Sequence, residues 1–398
     1  MNNHKSSISW HISCIIFLLV TLYSLNAYPF WHLGIYAPML FAIISAFLLL
    51  VVGYQFYDFS HWGIFIVTCL TIIFSSVGNN INGYVGEIIK VLPFLLFVQM
   101  SDKYKVVLYK YIRTIFAWLI AISSLFWILH LLGFDLPYVF DFYGYSIRRG
   151  EPQYMYHNHF LYIINLRDRE LIERFSCVFL EPGYFACLLC IFLFIGKFNF
   201  KDTHNKIFLL ALFLSFSLAG WIICFAAYVM FRFNKSKHRI LNLGLIFGSL
   251  LICYSFFSNY NGGDNVIKHS IIDRVELMEE TNSMTRTTED FDQWFDSNIL
   301  NVENFFLGNK QLYEKKYGNE TNVGWKVYFS NNGFIGFFIY LLYLFVVARS
   351  NGKTYMAYSL CFIYVLIFAR GHHIIYYFAF MFLYNCGTLI LGKNKIKI

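Results

Sequence analysis

Long apolar runs separated by short basic connectors make up most of this chain, and two long polar segments interrupt the pattern. An α-helix needs about 20 apolar residues to cross the hydrocarbon core of a bilayer. Runs that reach or approach this length lie at about residues 8–26, 35–56, 59–77, 84–100, 112–133, 175–196, 240–257, 326–347, 354–369 and 372–391. The pattern predicts an all-α, polytopic integral membrane protein.

One further apolar segment, residues 207–231, is too short for two full spans but has basic residues on both sides. Lys206 precedes it and Arg232 follows it, so both flanks resemble cytoplasmic connectors. We therefore predict two short helices that enter the membrane and return, with a bend near Ser217–Gly220. A single tilted helix is the alternative, and it would place one basic flank outside. Counting the segment as two helices gives about 12 transmembrane helices.

The charges indicate which side each polar segment faces. The first polar segment, residues 134–174, and the second polar segment, residues 258–325, together carry 11 cationic and 18 anionic residues, a net charge of −7. The rest of the chain carries +15. Because cytoplasmic connectors are enriched in Lys and Arg, both segments are predicted to lie outside and both termini inside. We expect a multi-pass protein of the bacterial inner membrane with two large periplasmic loops.

This topology divides the chain into five regions. They are helices 1–5 (1–133), the first periplasmic loop (134–174), helices 6–9 (175–257), the second, larger loop (258–325) and helices 10–12 (326–398).

Composition excludes several classes of protein. With 58% apolar and 14% charged residues, the chain is not an ordinary soluble domain. Its net charge of +8 is explained by cytoplasmic connectors beside anionic membrane lipids, so no nucleic-acid partner is expected. The nine cysteines all fall in apolar segments, which argues against a disulfide framework outside the membrane.

The most suggestive charged pair is Arg174 and Glu181, at the start of the span predicted at 175–196. Ionisable residues in spans are costly and are often functional. In a continuous helix the two residues would share one face about 10 Å apart along the axis. Pro182 would then kink the helix next to the carboxylate. A purely structural ion pair is the alternative.

Other polar residues are candidates for binding an anionic ligand. Arginine binds phosphate through two parallel hydrogen bonds, and the first polar segment has arginines but no lysine. The candidates are Arg148, Arg149, Arg274, Arg370 and His372. Structural pairing remains open for each of them. No metal site or cofactor is predicted, because His157–His159 lacks a second cluster of ligands.

Four short motifs resemble those of the O-antigen polymerases, within the wider polymerase and ligase superfamily of bacterial surface polysaccharides. The first motif is Arg174…Glu181-Pro-Gly183, and the second is the short double span broken at Ser217–Gly220. The third begins with Ser283-Met-Thr-Arg286 and continues with Trp294 and Phe305-Phe-Leu-Gly308-Asn309. The fourth is Asn331-Asn-Gly333-Phe-Ile-Gly336. Their order and topology extend over most of the chain. The arginine that often follows the serine of the double span is absent, since Leu218 and Ala219 stand there.

The resemblance implies a metal-independent, inverting glycosyltransferase that uses undecaprenyl-diphosphate-linked glycans. A growing chain would pass from its lipid carrier to a new lipid-linked repeat unit. Arg286 and Arg174 match the arginines expected to hold the diphosphates. A regulator of chain length and a flippase of the same pathway are expected as partners.

The same resemblance separates a polymerase from a ligase. O-antigen ligases carry a His-Asn-type pair eleven residues before Gly-x-x-Gly. The matching position here is Asn322, followed by Val323, so the ligase histidine is absent. Asn322 remains a candidate for glycan binding. Glu181 is the candidate base for the acceptor hydroxyl, because a carboxylate can accept its proton in the transition state. A ligase, a lipid-linked oligosaccharide flippase and a scaffold remain the alternatives.

Overall fold

The structure is a computed structural model, and the chain is predominantly helical. It describes residues 2–25, 27–30, 37–58, 62–75, 81–134, 136, 140–143, 155–165, 174–179, 181–235, 248, 254–265, 268, 272, 289–299, 301–317, 325–350 and 378–392.

The helices of the first half are α1 (Asn2–Ser24), α2 (Ala37–Gly53), α3 (Trp62–Ser75), α4 (Ile81–Val98) and α5 (Asp102–Leu131). Three strands follow: β1 (Phe140–Tyr143), β2 (Met155–Asn158) and β3 (Ile163–Asn165). The remaining helices are α6 (Pro182–Ile195), α7 (Thr203–Leu214), α8 (Leu218–Lys235), α9 (Glu289–Ile299), α10 (Val302–Leu307), α11 (Lys310–Tyr317), α12 (Trp325–Ser350) and α13 (Phe378–Gly392).

Two helices of the described part are long and apolar enough to cross a membrane by length and composition, namely α5 and the Trp325–Arg349 part of α12. Shorter apolar helices lie at Ile8–Ser24, Met39–Gly53, Trp62–Phe74, Ile88–Val98, Pro182–Ile195, Thr203–Leu214 and Leu218–Val229. The helical, apolar character predicted from the sequence is confirmed. The number of membrane crossings stays a prediction.

The chain forms two compact units. The first comprises Met1–Phe116 and Thr287–Ile398, and the second comprises Ala117–Arg286. In the first unit α2 packs along α1 and α4, α3 packs along α12, and α13 contacts α1, α4 and α12. The side chains between these helices are aromatic and aliphatic, as in the ring contact of Phe17 with Phe97 at 5.5 Å.

Three short helices of the second polar segment fold against the start of α12. Phe291, Phe295, Tyr313, Tyr317 and Phe329 bury their rings in one cluster, together with Val327. Two acidic residues at its edge are paired: Asp292 with Lys326 at 2.7 Å, and Asp290 with Lys316 at 3.7 Å. Residues 289–299 and 301–317 are therefore a folded layer, with part of their acidic charge neutralised by lysine.

The second unit contains a feature that the all-α prediction missed. Strands β1, β2 and β3 form an antiparallel sheet in that order within the first polar segment, with Phe142 opposite Tyr156 and His157 opposite Ile164. Aromatic and β-branched side chains favour strands. The sheet is tied to the residues before α6, because Ile163 N donates to Cys177 O at 3.1 Å.

Candidate functional site

Helices α6, α7 and α8 form a group within the second unit, and contacts at both ends fix their directions. Phe175, just before α6, donates its backbone N–H to Leu214 O at the end of α7, at 3.1 Å. Thus α7 runs antiparallel to α6. At the other end, the ring of Tyr228 in α8 lies 5.6 Å from that of Phe198, which follows α6. Thus α8 runs parallel to α6.

The two ends of this group carry different residues. Basic residues flank the end where α6 stops, α7 begins and α8 stops, namely Lys197, Lys201, Lys206, Arg232 and Lys235. Arg174 and Glu181 lie at the opposite end, where α6 begins and α7 turns into α8. The two candidate residues that the structure describes are therefore found at the end away from the lysine-rich connectors.

The segment predicted as a hairpin is indeed two helices. α7 ends at Leu214, α8 begins at Leu218, and Phe216 between them has a positive φ of 45°. The turn is closed by Trp221, whose Nε1 donates to Leu212 O at 3.1 Å. The prediction of two helices in place of a single tilted one is confirmed, whereas their entry into the membrane and return stay a prediction.

The prediction that Arg174 and Glu181 share one helical face is wrong. Residues 174–179 are not helical, and α6 begins only at Pro182. Glu181 has extended φ and ψ of −133° and 135°, which makes it the N-cap residue. Pro182 does not kink a helix but starts one. Proline suits this first position because its ring presets φ and its missing N–H would have no helical partner there.

This helix start leaves Glu181 at the surface of an otherwise buried element. All 14 residues of α6 are buried, whereas Glu181 is exposed. Its side chain makes no capping hydrogen bond. Within the described part of the chain, no ion pair or hydrogen bond engages its carboxylate, which lies beside the positive end of the helix dipole. The carboxylate is therefore accessible to a ligand.

Arg174 is fixed to the turn between α7 and α8. Its Nε donates to Ser215 O at 3.3 Å, and the N–H of the neighbouring Phe175 bonds to Leu214 O. Trp127 of α5 packs on Phe175 with ring centroids 5.5 Å apart. The arginine thus joins the segment before α6 to the end of the hairpin, and its position does not depend on Glu181.

The hairpin motif also packs closely on α6. A methyl group at Gly220 would lie 2.5 Å from Cβ of Ala186, and the Cys190 thiol donates to Gly220 O at 3.2 Å. Ser217 Oγ accepts from Gly220 N at 3.3 Å, as a helix-capping serine does. The serine and glycine of this motif therefore have structural roles in starting α8 and seating it against α6.

In the first unit, the Phe305–Asn309 part of the third motif meets the fourth motif, whereas Ser283–Arg286 lie outside the described residues. Gly308 has φ 73° and ψ 176°, and Gly333, which breaks α12, has φ 63° and ψ −173°. A methyl group at Gly308 would lie 2.5 Å from Gly333 N, and Asn309 N donates to Ser330 O at 2.7 Å. The end of α10 and the break in α12 are thus in backbone contact.

Most of the predicted site residues lie outside the described residues. They are Arg148, Arg149, Arg274, Arg286, Asn322, Arg370 and His372. Among the residues that are described, no group of three or more His, Cys, Asp or Glu side chains could hold a metal ion.

Two polar groups have surroundings that the sequence did not predict. Lys105 is 2% exposed in the first unit, and its Nζ donates to Val98 O at the end of α4. In the second unit His159 stacks on Tyr162 at 4.7 Å and lies 5.6 Å from the ring of His130. Lys105 lies seven residues before the apolar run at 112–133, and its local sequence carries no signal of burial. The two histidines are 29 residues apart in sequence, so their contact depends on the tertiary structure.

The four motifs thus form two contacting pairs. The residues before α6 contact the α7–α8 turn, and Gly308 contacts Gly333. No family model, curated protein or solved structure matches this chain.

Proposed function

We propose that this protein is a multi-pass membrane glycosyltransferase of the O-antigen polymerase type. It transfers a growing glycan from undecaprenyl diphosphate onto a new lipid-linked repeat unit, at the outer face of the inner membrane. The observation that carries the proposal is the location of Arg174 and Glu181 at one end of α6–α8, with the basic connectors at the other end. A cation for the diphosphate and an exposed carboxylate for the acceptor are the two groups that this transfer needs.

The length of α6 supports a recessed outer site. From Glu181 to Ile195 the helix rises about 21 Å, whereas the hydrocarbon core is about 30 Å thick. If the end of α6 at Ile195, two residues before Lys197, marks the cytoplasmic boundary, Glu181 lies about 9 Å below the outer boundary. An exposed carboxylate at that depth requires a cavity that admits water or a polar ligand, because hydrocarbon does not solvate charge. A lipid-linked diphosphate sits at the same interface.

The chemistry follows from these positions. The acceptor hydroxyl oxygen attacks the anomeric carbon of the donor glycan while the bond from that carbon to the diphosphate oxygen breaks. Glu181 takes the hydroxyl proton, and the bonding electron pair leaves with the diphosphate. Arg174, with Arg286 from the second polar segment, stabilises the charge that develops on the leaving group. No metal ion is needed in this scheme.

The topology we propose has about twelve helices with both termini in the cytoplasm. The segments 134–174 and 258–325 form two periplasmic loops, on the side of the membrane where polymerisation takes place. The folded layer at 289–299 and 301–317 supports this assignment, because an enzyme that handles a polymer needs ordered structure outside the membrane. A chain-length regulator and a flippase would act in the same pathway.

The first test is deletion of the gene in its host, followed by electrophoresis of surface lipopolysaccharide and extraction of lipid-linked glycans. Loss of the polymer ladder, with core plus one repeat unit remaining, supports a polymerase. Bare core with polymer accumulating on the carrier indicates a ligase. Bare core with only single lipid-linked units indicates a flippase. An unchanged ladder contradicts all three.

Complementation of the deletion strain then tests the site. Glu181→Gln removes the proton acceptor but keeps the shape, so the ladder should stay absent while the protein accumulates normally. Glu303→Gln is the matched control, since Glu303 is another exposed carboxylate, in the second polar segment. Arg174→Lys should restore less polymer than wild type because lysine cannot bind phosphate in bidentate fashion. A full ladder with Glu181→Gln would exclude this carboxylate as the base.

A further inference from the structure

An exposed apolar surface joins the second polar segment to α12. Four large side chains form it: Phe306 and Leu307 at the end of α10, which are 44% and 45% exposed, and Phe334 and Phe338 of α12, which are 42% and 55% exposed. The rings of Phe306 and Phe334 lie 6.3 Å apart, and those of Phe334 and Phe338 stack at 6.1 Å. The surface is therefore continuous from one helix to the other.

On α12 this surface is part of a longer row. Phe334, Phe338, Leu342 and Phe345 are all exposed, and their spacing of three or four residues places them on one face. This helix is one of the two in the described part that could cross a membrane. An exposed apolar face along such a helix is the face expected to contact lipid chains.

The depth of the surface follows from helix geometry. Arg349 stands at the end of α12 and marks the predicted cytoplasmic boundary. Phe334 is 15 residues earlier, which corresponds to a rise of about 22 Å in a core of about 30 Å. Phe334 would thus lie about 8 Å inside the outer boundary of the core. Phe306, in ring contact with Phe334, lies at a similar level.

We infer that the C-terminal end of α10 is embedded in the outer leaflet, so that a helix of the external segment is an interfacial anchor. The occupant of this surface is the acyl-chain region of the bilayer. Glu303, which is exposed one turn earlier on α10, limits the embedded part to the end of the helix. The backbone contact of Gly308 with Gly333 holds this end at a fixed height on α12.

The anchor has a consequence for the whole folded layer. The cluster of Phe291, Phe295 and Tyr313 is built on α9 and α11, and it packs on Val327 and Phe329 of α12. With α10 embedded beside α12, this layer is held against the membrane surface. The inference rests on the membrane topology and does not depend on transferase activity.

A collision experiment on the full chain in phospholipid nanodiscs tests the inference. A nitroxide is attached to Phe306→Cys, and its collision rates with oxygen, which concentrates in lipid, and with a water-soluble nickel chelate are compared. Phe338→Cys provides the lipid-facing reference and Lys315→Cys, exposed on α11, the water-facing reference. The unsubstituted chain corrects for labelling of native cysteines. We expect an oxygen-to-nickel ratio several-fold above that of Lys315→Cys and close to that of Phe338→Cys.

Leu307→Cys is a second variant, in case Phe306→Cys does not fold. A ratio at position 306 or 307 equal to that of Lys315→Cys would overturn the inference. Low collision rates with both reagents would also overturn it, because they would mean that protein covers the surface. If Phe338→Cys itself gives the water-facing ratio, the membrane placement of α12 is wrong and the inference fails with it. None of these outcomes depends on whether the protein polymerises glycans.

Discussion

The contact between Gly308 and Gly333 can be tested by adding one methyl group. Both residues have φ near +70° with ψ close to 180°, a conformation that is essentially restricted to glycine. Alanine at either position would strain the backbone and would also force the two chain segments apart. The contact joins the layer of α9–α11 to the break in α12, so its loss should loosen that layer.

The magnitude can be worked from two separate costs. Holding alanine in this backbone conformation costs about 1–3 kcal/mol. The new methyl at Gly308 would lie 2.5 Å from Gly333 N, and overpacking of this kind costs about 1–3 kcal/mol. Each single substitution should therefore lower the free energy of unfolding by about 2–6 kcal/mol, a large part of the 5–15 kcal/mol typical of a domain. The double substitution should cost less than the sum, because one displacement accommodates both methyl groups.

Equilibrium unfolding in mixed micelles, followed by tryptophan fluorescence, measures these changes. Trp294 and Trp325 both pack on the aromatic cluster and report on it. Gly63→Ala is the control, since a methyl group at Gly63 in α3 would meet nothing within 4 Å. It should be neutral or stabilising by up to about 1 kcal/mol. If Gly308→Ala and Gly333→Ala match this control, the two segments are not in contact.

Three further predictions concern the second polar segment. Replacing Asp292 by Asn removes the carboxylate from the half-buried pair with Lys326 and should lower the free energy of unfolding by about 1.5–3 kcal/mol. As a control, Lys315→Met on the exposed side should change it by less than about 0.5 kcal/mol. Burial raises the pKa of Tyr317 above its ordinary value of 10.0. The stability that Tyr317 contributes is thus complete below pH 10.0 and is lost as the pH rises through the folded-state pKa. The free energy of unfolding of Tyr317→Phe should therefore depend less on pH in the alkaline range. An unchanged pH dependence would contradict the raised pKa of Tyr317. Arg286→Lys should lose the polymer ladder as completely as Arg286→Ala if bidentate phosphate binding is its role, and full activity of the lysine variant would refute that role.

The sequence predicted the helical, apolar character because that property is local. A run of about 20 apolar residues favours a helix, because a helix in lipid satisfies its backbone hydrogen bonds within the segment. The hairpin at α7 and α8 was also predicted, since basic residues on both flanks and a Ser-Gly break lie within one short stretch of chain. The sheet in the first polar segment was missed, because its strands are only three or four residues long and their pairing joins residues up to 18 positions apart.

In the candidate site, too, local features were predicted from the sequence and long-range contacts were not. Composition and spacing alone singled out Arg174 and Glu181, because charged residues beside an apolar run are unusual and costly. Their placement on one helical face was wrong, because a proline was interpreted as a kink and in fact occupies the first position of the helix. The bond from Arg174 to Ser215 spans 41 residues, and a sequence pattern does not specify such a partner.

The sequence by itself determined which segments are apolar, where the net charge lies and which residues could bind an anion, since these follow from composition along the chain. Only the tertiary structure decided that Arg174 is held by the α7–α8 turn, that Glu181 is exposed at the start of a buried helix, and that Gly308 touches Gly333. Each of these depends on how close two distant segments approach, and that distance is set by packing over the whole unit rather than by the local preferences of either segment.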